Sequence, residues 1–139
     1  MVKIFSAPVV PASAPSPAPA EAAIDIAHLG RMTFGEKGLE REVLRLFERQ
    51  ATMLLARMKD APHTELAAFA HTLTGSARGI GAWQVAKAAE AVELTASGRG
   101  QPDLAAALVK LTAAIDEASA AITELLRASG TPRQSRPGK

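Results

Sequence analysis

His71 is the residue of this chain best suited to chemistry. It heads the run AHTLTGSARGIGA, Ala70 to Ala82, and a neutral imidazole is a competent nucleophile near neutral pH. Set on a helix at about 100° per residue, Leu66, Phe69, Leu73, Ala77 and Ile80 form one apolar stripe that must face a core. Ala67, His71, Thr74, Gly75 and Arg78 form a second stripe turned roughly 150° away, so the imidazole is expected to stand in solvent. Gly75, one turn on, costs a helix interior about 1 kcal/mol relative to alanine. Beside an exposed ring it leaves bare backbone against which a second protein can bring its own reactive group close.

The run resembles the histidine-containing phosphotransfer (HPt) domain of bacterial multistep phosphorelays. That family's pattern is a histidine, a lysine at the third position after it, a glycine at the fourth, small residues, and a helix end containing glycine. Here it reads His71, Thr74, Gly75, Ser76, Ala77, Gly81 and Ala82. Thr74 departs from the pattern, and Arg78, a turn further along the same stripe, is the candidate for the missing positive charge. The resemblance covers roughly Ile24 to Ala128 and implies that His71 is the phosphoacceptor.

An imidazole that attacks phosphorus with one ring nitrogen keeps its proton on the other, so an acceptor for that N–H fixes tautomer and aim. Glu93 is the candidate. Reflecting the chain about Ala82, at the expected helix corner, sets position 93 opposite His71, and Glu93 falls at the edge of the next helix's buried stripe. The resemblance implies the same position, where HPt domains often carry Gln or Glu; a plain surface carboxylate is the alternative. In this reading Arg78 and Lys87 help electrostatically, Gly75 gives clearance, and Thr74 and Ser76 offer hydroxyls to phosphoryl oxygens, although Ser76 can equally bond back to the helix backbone.

Phosphoryl transfer also calls for a metal and for groups that hold the transferring oxygens. The sequence has neither a GxxxxGK[ST] loop nor clustered carboxylates suited to Mg²⁺. The resemblance assigns those parts to a partner: a response-regulator receiver domain brings its phosphorylated aspartate and its Mg²⁺, with a hybrid histidine kinase upstream. The chain is then a phosphoryl carrier and not an enzyme, with no cofactor or metal of its own. His28 and His63 lack metal-ligand spacing to His71 and read as surface or boundary residues. Trp83 reads as a cover for the helix corner.

Composition limits the alternatives. The chain has 139 residues, enough for one domain with a modest core. It has no cysteine, hence neither a disulfide framework nor a thiolate nucleophile, which is compatible with a reducing cytoplasm. No apolar run reaches the length of a membrane span, and the proline-rich segment after the N-terminus is unlike a secretory signal. The formal charge of +2 invites a nucleic-acid reading, but location argues against it. From Ile24 to Ala128 there are 12 Lys and Arg against 13 Asp and Glu, and Lys3, Arg133, Arg136 and Lys139 lie in the tails. A nucleic-acid binder carries its basic face on the folded part.

The pattern predicts an all-α protein: an antiparallel up-down four-helix bundle preceded by a short additional helix, with disordered tails. Residues 1–23 read as a disordered Pro/Ala-rich leader, 24–128 as the bundle, and 129–139 as a disordered basic tail. The short helix covers Asp25 to Met32 with Asp25 as cap. The second runs from about Glu36 to Lys59, burying Leu39, Val43, Phe47, Leu54 and Met58. Pro62 restarts the chain into the His71 helix. Gly79 and Gly81 turn the corner. The fourth helix runs from about Ala82 to Ser97, and Pro102 opens the last, whose Leu104, Leu108, Leu111, Ile115, Ala118, Ile122 and Leu125 form a heptad seam. The leading functional reading is a monomeric carrier. A helical adaptor that binds a receiver or kinase without transfer is the alternative, and a kinase dimerisation bundle fits less well because no ATPase domain accompanies the helices.

Overall fold

The computed structural model describes residues 23–99 and 103–135, with side chains as far as residue 128. It contains five helices, α1 (Ile26–Met32), α2 (Lys37–Asp60), α3 (His63–Ile80), α4 (Trp83–Ala96) and α5 (Leu104–Ser135), and no strand among the described residues. Each boundary has a local cause. Asp25 caps α1, its carboxylate accepting from the His28 N–H at 3.0 Å. Pro62 lacks an N–H and drives Ala61 into extended backbone, which separates α2 from α3. Gly81 ends α3 in the left-handed region at φ +84°, whereas Gly79 remains inside the helix. Asp103 caps α5 by accepting from the Ala106 N–H at 3.0 Å.

Packing closes a ring: α2 lies against α3, α3 against α4, α4 against α5, and α5 back against α2, while α1 sits on α3. Met58, Leu73, Val85, Val92, Leu111 and Ile122 are fully buried where these helices meet. The α5 seam follows its heptad, with Leu111, Ile115, Ala118 and Ile122 buried and Leu104, Leu108 and Leu125 partly so.

On α2 the buried face differs from the expected one. Leu44, Phe47, Ala51, Leu54, Leu55 and Met58 are buried, while Val43 is half-buried and Leu39 is 37% exposed. Because α2 packs on α3 and α5 together, its covered stripe is broad and centred away from Leu39 and Val43.

The short α1 is tied to the α3–α4 corner. The Asp25 N–H donates to the Gly81 carbonyl at 2.9 Å, and the Trp83 indole N–H donates to the Asp25 carboxylate at 2.9 Å. His28 Nε2 donates to the Gly79 carbonyl at 3.2 Å and its ring lies 5.0 Å from that of Trp83. Ala23 and Ile24, just ahead of α1, are buried; the rest of the expected leader lies outside the described residues. The backbone of α5 runs on to Ser135, past Ala128, where the pattern ended the bundle. Residues 136–139 of the expected tail lie outside the described residues.

Candidate functional site

The side of α3 that faces α4 opens into a cleft of about 410 Å³ lined by His71, Thr74, Gly75 and Arg78 of α3, Glu90, Glu93 and Leu94 of α4, and Arg99 just beyond α4. Helical spacing places the α3 residues together, since positions three, four and seven after His71 share its face. The His71 side chain is 76% exposed and that of Glu93 25%. His71 Nδ1 lies 3.1 Å from Glu93 Oε2. A carboxylate only accepts, so Nδ1 carries the hydrogen and donates it. In the neutral ring this arrangement selects the tautomer that leaves the lone pair on Nε2.

Around this pair the cleft is open and its charges are mixed. A Cβ built on Gly75 meets nothing within 4 Å, so approach to the ring is unobstructed on that side. Arg78 lines the cleft but pairs with Glu90 at 3.3 Å, both side chains about half exposed. Such a pair adds little to stability, yet it divides the guanidinium's attention between Glu90 and any incoming anion.

Three of the expected binding residues are placed differently. Thr74 is 4% exposed and its hydroxyl donates to the Ala70 carbonyl at 2.9 Å. It serves as wall and not as a phosphoryl donor, because α4 covers that edge of α3. Ser76 lies on the opposite flank of α3, in a groove with Val43, Leu46, Phe47, Gln50 and Ile80, and so faces α2. Lys87 lies in the groove between α4 and α5, with Ala88, Ala91, Ala107 and Lys110, and is not among the residues that line the His71 cleft. Conversely, Arg99 and Glu90 belong to the cleft and were not singled out from sequence. The signal for Arg99 was available in Gly98, which marks the end of α4 and thereby sets where the next residue goes.

No group of three or more His, Cys, Asp and Glu among the described residues could hold a metal ion. His63 is exposed, and His28 is engaged at the helix corner. The sequence model of the Hpt domain matches residues 42–125, a span that begins in α2, ends in α5 and holds both His71 and Glu93. The chain belongs to the Hpt domain family. Membership implies histidine phosphotransfer in a phosphorelay, where Hpt domains interact with receiver domains and histidine kinases. No curated protein matches the chain at a significant level. No helix of this Hpt domain protein, among the described residues, is long and apolar enough to cross a membrane.

Proposed function

We propose that this Hpt domain protein relays a phosphoryl group between aspartates of receiver domains through a phosphohistidine at His71, in two-component signalling. The observation that carries the reading is the His71–Glu93 pair: an imidazole standing in solvent with one nitrogen held at 3.1 Å by a carboxylate. In the transfer, the Nε2 lone pair attacks phosphorus and the bond from phosphorus to the aspartyl oxygen breaks. The aspartate leaves as carboxylate. The ring, still protonated at Nδ1, gains positive charge, and the Glu93 carboxylate offsets it. Transfer to a second receiver runs the same step in reverse.

The receiver supplies its own Mg²⁺, so the chain is a carrier with no cofactor and no catalytic centre of its own. The partner upstream is a hybrid histidine kinase. The closed ring of contacts among α2, α3, α4 and α5, joined by short connections between consecutive members at the first two corners, favours an antiparallel up-down four-helix bundle. Such a bundle presents the α3–α4 cleft to a visiting receiver. The chain acts as a monomer in the cytoplasm, where its partners reside.

Incubation with a ³²P-phosphorylated receiver domain tests the reading. Acid-labile, alkali-stable label is expected on the wild type and not on His71→Gln. Binding of the receiver without label on the wild type overturns the carrier role and favours the adaptor, the reading that the absence of lysine at Thr74 supports.

A further inference from the structure

We infer that Arg99 is the cation that steadies the phosphoryl group on His71. The inference rests on the phosphoacceptor role proposed for His71. A phosphoryl group there adds roughly two negative charges to the cleft at neutral pH, and Glu93 and Glu90 already line it. The cleft holds two guanidinium groups to answer them. Arg78 shares its charge with Glu90 at 3.3 Å, and Thr74 contributes neither charge nor a spare hydroxyl hydrogen. Arg99 lines the same cleft and forms no ion pair with a carboxylate among the described residues.

Its backbone is fixed there by the way α4 ends. Gly98 takes φ +79°, its N–H donates to the Thr95 carbonyl at 3.0 Å, and the Arg99 N–H donates to the Leu94 carbonyl at 2.8 Å. This pairing of a left-handed glycine with two reverse bonds is the Schellman motif. It sets Arg99 beside Leu94, one residue from Glu93, so its guanidinium projects from a held backbone. Planar guanidinium groups bind phosphoryl oxygens in pairs of charge-assisted hydrogen bonds. Arg99 therefore acts as a positioning residue that holds the phosphoryl group after transfer.

The test uses the full chain and phosphoramidate as phosphoryl donor: Nε2 of His71 attacks phosphorus, the P–N bond breaks and ammonia departs. The rate of phosphohistidine formation and its half-life once the donor is removed are both read by ³¹P NMR. Arg99→Ala is expected to slow formation and shorten the half-life by about fivefold, with an unchanged circular dichroism spectrum and Tm. Arg99→Lys restores most of both because the charge remains. Arg78→Ala loses less, since its charge is already shared. Rates and half-lives for Arg99→Ala within about 1.5-fold of wild type, or a larger loss in Arg78→Ala, overturn the assignment to Arg99 while leaving His71 as acceptor. A wild type that gains no phosphate at His71 overturns the acceptor role and the Arg99 inference with it.

Discussion

At the scale of single residues, the proposed transfer gives Glu93 two separable tasks: it accepts the Nδ1 hydrogen and it brings negative charge to a ring that would become positive on phosphorylation. Glu93→Ala removes both, and transfer from a phosphorylated receiver is expected to slow about tenfold, the scale of one charge-assisted hydrogen bond. Glu93→Gln keeps an acceptor oxygen and loses the charge, so its rate should fall between the two. Equal rates for all three proteins would deny Glu93 any part in aiming the ring. The opposition of His71 and Glu93 is legible in the sequence because reflection about a tight corner preserves register over the three turns between Ala82 and either residue. Thr74 is harder to read, since its burial depends on how far α4 overhangs the edge of α3. Ser76 and Lys87 line other grooves for a related reason. A helical wheel gives direction but does not say which neighbour covers each flank.

At the scale of elements, the α3 motif uses glycine in two opposite ways. At Gly81, φ is +84° and an added Cβ falls 2.9 Å from the Asp25 Cβ, with backbone of Asp25 also in the way. Gly81→Ala is therefore expected to destabilise the fold by about 2 kcal/mol or more in urea denaturation, from left-handed strain and collision together. Gly75 lies in a regular helix with open space around it. Gly75→Ala should stabilise the chain by up to about 1 kcal/mol while slowing transfer from a receiver, and a faster or unchanged transfer would deny it the clearance role. The capping of α1 makes a pH prediction. The Trp83 indole N–H, and then the His28 backbone N–H, hold the Asp25 carboxyl below the usual carboxylate range. A carboxylate more acidic in the folded state stabilises it above its unfolded pKa and stops doing so as pH falls through the lower folded value. The Tm difference between wild type and Asp25→Asn should therefore be full at neutral pH and shrink below about pH 4. A gap that stays constant through that window would detach Asp25 ionisation from the stability of the corner.

At the scale of the whole molecule, the helices and their order are legible because apolar spacing agrees with Pro or Gly punctuation at the ends of α2, α3 and α4. Pro62, Gly81 and Gly98 each stop or turn the chain where such residues must. The α2 face is less legible: Leu39, Leu46 and Met53 are as apolar as Leu44 and Leu55, and only the joint packing of α3 and α5 selects which of them are covered. Arg99 escapes a reading of helices because its place is set by the end of α4 and not by any periodicity. In the proposed transfer, what the packed ring of helices contributes is orientation, since it holds α3 and α4 at the separation that lets Glu93 claim Nδ1 and leaves Nε2 for the attack. The position of the phosphorus on the ring tests this most directly. With ¹⁵N-histidine in the full-length chain and a phosphorylated receiver as donor, ¹H–¹⁵N and ³¹P spectra should place the phosphoryl group on Nε2 of His71, with the Nδ1 hydrogen retained. Phosphate found on Nδ1, or on any residue other than His71, would contradict the account.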